Sequence, residues 1–216
     1  MLMHTIPSMG PFGTNCYLVW DDNMDGVLID APCDPGQIMA VIYEKGVYLK
    51  KILLTHGHCD HIAAAAQIMR TTGADCVIHE NDLKKLTNDD SNLTRYFNLP
   101  PTEPVTNARA VQDGDVITAG TLEFEVLHTP GHTSGSVCYI CGDVMFTGDT
   151  LFKGSMGRTD MYDGNEEDIF SSLAVLYAFD TGTSYKIYPG HGEPSTLDEE
   201  RRSNQYMLYA AKNYSI

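Results

Sequence analysis

Positive charge is scarce in this sequence. Only 14 lysines and arginines face 29 aspartates and glutamates across 216 residues, a formal net charge of -15 at pH 7. A surface of that sign repels nucleic acid and anionic lipid at long range, which argues against both as partners. Long apolar runs are missing as well, and none would span a membrane. The start, Met1-Leu2-Met3-His4-Thr5, carries neither the basic cluster nor the apolar stretch of a secretion signal. The expectation is a cytoplasmic protein, monomer or homodimer. Repeats, low-complexity tracts and an interdomain linker are also lacking, so residues 1–216 are expected to form one domain. The six cysteines offer only one Cys-x-x-Cys spacing, Cys138-Tyr139-Ile140-Cys141, with no second pair. Alternation along a strand accounts for it better than a zinc ribbon or a redox pair does, and no disulfides are expected.

What is there, at 43% hydrophobic content, suffices for a substantial core. Strand-like runs cover residues 15–20, 26–30, 51–54 and 76–79 in the first half, with helical patterns over 36–44 and 62–69. The second half repeats the mixture: strands over 122–127, 136–141, 144–147 and 185–188, and helices over 166–179 and 197–212. This order of elements predicts layered α/β, with sheets covered by helices. Residues 81–110 break the pattern. They are polar, carry Pro100-Pro101 and Pro104, and show only a short helix near 82–86. Such a segment is either functional or a surface excursion.

Four metal-liking side chains fall within six residues: His56, His58, Asp60 and His61. Imidazole and carboxylate are preferred ligands of first-row metals. The cluster stands between a strand-like run and an alanine-rich helical one. Three more such residues follow strands in Gly-rich turns: His132 in Thr-Pro-Gly-His-Thr, Asp149 in Thr-Gly-Asp-Thr and His191 in Pro-Gly-His-Gly. Singly, each has a bland explanation, since Asp60 could cap a helix and Asp149 or the histidines could simply form turns. Jointly, seven ligand-type residues at strand-to-turn junctions point to a metal site. His4, His79 and His128 lack such neighbours and are expected to be structural or on the surface. Cys59, inside the cluster, is read as a buried small residue at a helix start, in preference to a redox-sensitive neighbour.

The series His56-x-His58-x-Asp60-His61, His132, Asp149 and His191 resembles the metallo-β-lactamase superfamily across nearly the whole chain. Gly13-Thr14-Asn15-Cys16-Tyr17-Leu18-Val19 resembles that family's opening strand. Gly148-Asp149-Thr150-Leu151-Phe152, Gly157-Arg158-Thr159-Asp160 and Pro189-Gly190-His191-Gly192 are similar to the glyoxalase II branch, in its short bacterial, hydroxyacylglutathione-hydrolase-like form. The resemblance implies a four-layer αββα sandwich with the metal site at one edge of its two sheets. It implies two divalent metal ions, zinc foremost, with iron or manganese compatible with the all-N/O donors. His56, His58 and His132 would hold one ion, Asp60, His61 and His191 the other, and Asp149 would bridge them. It further implies a hydrolase in which a metal-activated hydroxide, oriented by Asp60, attacks an acyl thioester such as S-lactoylglutathione. Two divalent ions against two carboxylates and a hydroxide leave a local charge of about +1, suited to an anionic substrate within an acidic protein.

The sequence also departs from that branch. Arg158 falls where the family often has a basic residue, and is the candidate contact for a substrate carboxylate. Glu193 and Asp160 stand where larger enzymes carry tyrosines, and their C-terminal helical domain is not expected here. A mononuclear-iron persulfide dioxygenase of the same superfamily shares the Gly-Arg-Thr-Asp stretch and is the alternative activity. Lactonase or β-lactamase chemistry is a further hydrolytic one.

Overall fold

The computed structural model describes residues 1–179 and 182–214, with backbone alone for residues 7–9. The first sheet takes its strands in chain order: β1 (Leu2–Met9), β2 (Thr14–Trp20), β3 (Asp25–Ile29), β4 (Tyr48–Leu53), β5 (Asp75–His79) and β6 (Arg109–Val111). The meander β1-β2-β3 is antiparallel, and β3 to β6 run parallel. Helix α1 (Pro35–Lys45) connects β3 to β4; α2 (Cys59–Ile62) and α3 (Ala65–Thr72) connect β4 to β5. The second sheet has the order β14-β13-β10-β9-β8-β7. It comprises β7 (Val116–Ala119), β8 (Leu122–His128), β9 (Val137–Cys141), β10 (Val144–Gly148), β13 (Lys186–Pro189) and β14 (Ser195–Thr196). A small hairpin, β11 (Leu151–Phe152) and β12 (Ser155–Met156), follows β10. Helices α4 (Glu166–Ala178), α5 (Leu197–Ser203) and α6 (Gln205–Asn213) complete the chain.

Side-chain alternation explains the layering. On β2, Cys16, Leu18 and Trp20 join an outer core that also takes Ile38 of α1 and Ile68 of α3. Tyr17 and Val19 turn the other way, into a core between the sheets that holds Tyr139 and Phe146. On the far side, Cys138, Ile140 and Met145 pack against Leu173 of α4 and Met207 of α6. Both sheets are thus buried on both faces, which is why their central strands read as continuous apolar runs. This is the expected αββα sandwich. Cys138 and Cys141 face different cores and, like the other cysteines, are free thiols. No helix among the described residues is long and apolar enough to cross a membrane.

Two expected helices are each divided. The pattern over 62–69 becomes α2 and α3 because the Ala31 peptide intervenes. Its N–H donates to the His61 carbonyl at 2.8 Å and its carbonyl accepts from Ala64 N–H at 2.9 Å, taking up groups a continuous helix would pair internally. The pattern over 197–212 breaks at the buried Asn204. Its Oδ1 accepts from the N–H groups of Tyr206 and Met207, starting α6, while its Nδ2 donates to the carbonyls of Phe152 and Ser155 and to Glu200. The strands β1, β6 and β7, unforeseen in the sequence, lie at or beside sheet edges, where half-exposure blurs the apolar pattern. Asn204→Ala removes a cap and leaves buried carbonyls unpaired. It should lower unfolding free energy by about 2–4 kcal/mol in urea titrations, and leave metal content unchanged because α6 lies behind the second sheet.

Candidate metal centre

All seven sequence-predicted ligand residues converge where strand ends of the two sheets meet. The first sheet supplies His56 and His58 from the turn after β4, then Asp60 and His61 from α2. The second supplies His132 between β8 and β9, Asp149 directly after β10, and His191 two residues past β13. Their donor atoms form three overlapping groups, each within 4.8 Å: His56, His58 and His132; His56, His61 and Asp149; Asp60, His61 and His191. His58 Nδ1 lies 2.9 Å from His132 Nε2. Asp149 faces both sides, its Oδ2 at 3.3 Å from His132 Nε2 and 3.4 Å from His191 Nε2, its Oδ1 at 3.4 Å from His61 Nε2. Asp60 Oδ2 is 3.4 Å from His61 Nε2 and 3.3 Å from His191 Nε2.

Hydrogen bonds on the far side of the rings aim them inward. His61 Nδ1 pairs with Asp30 at 2.8 Å, His132 Nδ1 donates to the Arg158 carbonyl at 2.7 Å, and His191 Nδ1 donates to the Phe12 carbonyl at 3.1 Å. His56 Nδ1 lies 3.2 Å from Thr55 Oγ1. Each of these four rings thereby turns Nε2 toward the cluster. Buried polar atoms within it lack any hydrogen-bond partner: His56 Nε2, His58 Nε2 and Asp149 Oδ1. Unpartnered buried nitrogen and oxygen are costly in a protein interior unless something else, such as a cation, satisfies them. The donor set therefore fits metal ions, and with no thiolate it suits zinc, iron or manganese.

Protonation divides the set. Burial holds His56 and His58 well below the usual histidine range, reinforced by neighbouring imidazoles. Both are neutral, the form that donates a lone pair. Burial opposes charge on His61 too, but Asp60, Asp30 and Asp149 outweigh it and raise the group to about 9. Against the same opposition, hydrogen bonds to Asp149 and Asp60 raise His191 to about 11. Burial disfavours the charged Asp149 carboxylate, yet His61 and His132 bring it down to about 2. Without an ion, the carboxylate-rich side thus holds protons in the place of a cation.

The sequence alone did not disclose the supports. Asp30 ends β3 in the left-handed region, at φ 58°, and accepts from Thr55 N–H and Oγ1 as well as facing His61. Its only signal was an acid closing an apolar run. Thr14 Oγ1 donates to Asp60 at 2.7 Å. Asn15 Nδ2 donates to the carbonyls of Pro189 and Gly192, and the Tyr17 hydroxyl donates to Pro189, so β2 of the first sheet braces the His191 turn.

A pocket of about 160 Å³ opens over the cluster, walled by Phe12, Leu93, Phe97 and Met161 on its apolar side. Leu93 and Phe97 belong to the irregular 81–110 stretch, which therefore touches the site. Arg158 reaches the pocket rim, but its guanidinium is engaged by Asp160 through two hydrogen bonds of 2.7 and 2.8 Å. Glu193 is exposed, pairs with Lys153 at 2.6 Å, and is not among the pocket's lining residues. Cys59 is buried, and burial with Asp60 nearby pushes its thiol to about 12, so it is no thiolate at neutral pH. His79 and His128 stack on each other at 4.0 Å, apart from the cluster.

Two six-stranded sheets between helices, with histidines and aspartates gathered at one edge, define a metallo-hydrolase type of architecture. The chain belongs to the metallo-β-lactamase superfamily, whose family model matches residues 9–191. It is 34% identical over 199 residues to the hydroxyacylglutathione hydrolase GloC of Haemophilus influenzae, covering 91% of this chain and 93% of that one. Among solved structures it is similar to the BLEG-1 B3 metallo-β-lactamase, with a TM-score of 0.87 and 29% identity over 95% of this chain and 99% of the other. It is also similar to TTHA1623 in a di-iron-bound form, with a TM-score of 0.83 and 33% identity over 93% and 98% of the two chains.

Because His61 and His191 carry protons at pH 7 without an ion, metal uptake must expel them. Zinc titrated into metal-free protein at pH 7 should release about two protons per chain, measured calorimetrically in buffers of different ionisation enthalpy. Release should diminish as the pH rises through about 9 and onward toward about 11.

Proposed function

We propose that this protein is a dinuclear metal-dependent hydrolase of small acyl thioesters, of the S-lactoylglutathione type. The observation that carries the reading is the completeness of the second donor group: Asp60, His61 and His191 are assembled and braced by Thr14, Asp30 and the Phe12 carbonyl. A mononuclear site of two histidines and an aspartate would leave that group idle. His56, His58 and His132 would hold one ion, Asp60, His61 and His191 the other, with Asp149 between them. Such ions, when bound, supply Lewis acidity toward the acyl carbonyl and an acidified water.

The remaining work falls to the chain. Hydrolysis forms a carbon–oxygen bond from water to the acyl carbon and breaks the carbon–sulfur bond, yielding a carboxylic acid and a thiol. Asp60 lines the pocket, and Thr14 holds its Oδ2 in place. A carboxylate fixed in this way accepts a hydrogen bond from the attacking water and orients it. Phe12, Leu93, Phe97 and Met161 keep the acyl group against an apolar wall and limit bulk water. The pocket suits a small hydroxyacyl group better than a whole tripeptide thiol, which would extend past the rim where Arg158 stands. Likeness to the GloC relative supports the thioester class, and likeness to a B3 metallo-β-lactamase makes β-lactams a necessary control.

The test is metal analysis and a substrate panel on one preparation. Two ions per chain with hydrolysis of S-lactoylglutathione or another acyl thiol is the expected result. One iron per chain, with oxygen consumed on glutathione persulfide, would overturn it in favour of a persulfide dioxygenase. Cleavage of lactones or β-lactams alone would overturn the thioester assignment. His61→Ala should empty mainly the second position, and Asp60→Asn should lower kcat by about 100-fold or more.

Asp160 competes with substrate for Arg158. Asp160→Asn should therefore lower KM for a carboxylate-bearing thioester by about 2–5-fold, the scale of an exposed ion pair. KM for an uncharged analogue should not change, and Arg158→Ala should abolish the difference between the two substrates.

A further inference from the structure

A second buried charged cluster lies behind the histidines. Lys85 and Asp82 sit on the short 3-10 helix Glu80–Thr87, which opens the 81–110 stretch, and their side chains are 1% and 0% exposed. Lys85 Nζ lies 2.5 Å from Asp82 Oδ1 and 2.7 Å from Asp163 Oδ2. Lys85 and Asp82 are buried while Asp163 is partly exposed to solvent; burying such a charged pair is expensive, and hydrophobic replacements would usually serve stability as well. Their contacts suggest a different use.

Asp82 Oδ2 accepts from the Gly57 N–H at 2.7 Å and from Thr133 Oγ1 at 2.9 Å. Gly57 stands between His56 and His58, and Thr133 follows His132. One carboxylate oxygen therefore binds both turns that carry the first donor group, one from each sheet. Close approach makes the arrangement specific. A Cβ on Gly57 would meet Lys85 Cβ at 2.6 Å, and one on Gly135 would meet Asp82 Cγ at 2.6 Å. Lys85 also reaches the loop 157–164 through Asp163, and in that loop the Arg158 carbonyl orients His132. Asn92 completes the brace, donating to the Lys85 carbonyl at 3.0 Å and accepting from Cys59 N–H at 2.8 Å.

We propose that Asp82 and Lys85 are positioning residues for His56, His58 and His132, holding the three nitrogens at ligating separation and setting the affinity of that group alone. The proposal rests on reading those histidines as metal ligands. By contrast, the second group is braced by Asp30 and Thr14, and among the described residues no direct hydrogen bond or ion pair joins either to Asp82, Lys85 or Asp163.

The experiment measures zinc affinity by competition with a chromophoric chelator, introducing Asp82→Asn into two backgrounds. In His61→Ala, where the first group is intact, it should weaken zinc by about 10–100-fold. In His58→Ala, where the second group is intact, it should change affinity less than about 3-fold. Equal weakening in both backgrounds, or a lowered Tm with unchanged affinity in both, would overturn the proposal. Thr133→Val and Asp163→Asn, which trim the network from its edges, are the second pair of variants should Asp82→Asn fail to fold. They should show the same bias toward the first group, and its absence overturns the proposal. A parent protein that binds no zinc would overturn the metal reading itself, a result distinct from either outcome.

Discussion

The carboxylate of Asp30 anchors the architecture around the centre. It is buried at the end of β3 and receives Thr55 N–H, Thr55 Oγ1 and the His61 ring. An ionised carboxylate without such partners would be very costly in the interior. With them, it ties the exit of β4 to the exit of β3 and turns His61 toward the cluster. Asp30 N–H donates to the Leu53 carbonyl, and the next residue, Ala31, divides α2 from α3. Asp60 and His61 therefore face the second sheet from a short helix whose direction is set by backbone contacts rather than by helix propensity.

That anchoring produces two chemically different neighbourhoods a few ångströms apart. His56 and His58 are kept neutral by burial, so they offer nitrogen without competition from protons. His61 and His191 sit among carboxylates that attract either protons or metal cations. Asp149 belongs to both neighbourhoods. An acidic protein thus gathers protons or cations at one point with no lysine or arginine among the donors.

The candidate ligands themselves were readable in the sequence because few residue types bind metals and each of these follows a strand. The central strands were readable because burial on both faces leaves apolar runs, as in β2, β9 and β10. Their supports were not, because the relevant partners are distant in the chain: Thr14 with Asp60, Asp30 with His61, Asp82 with Gly57 and Thr133. Nothing local marks an aspartate as the acceptor for a backbone N–H 25 residues away. Helix boundaries failed for the same reason, since Ala31 and Asn204 act through tertiary hydrogen bonds. Arg158 stands at the pocket rim, and its engagement by Asp160 was not legible because it depends on side-chain conformation rather than on spacing.

Each sheet is built from one continuous half of the chain, whereas the donor cluster draws on both. Four of the donors are present once the first sheet has formed, yet Asp149, facing both sides, arrives with the second. A strand shifted by one residue would turn its side chains to the opposite face, and Asp149 would no longer lie between the histidines. The full donor geometry therefore exists only when the two sheets dock in register.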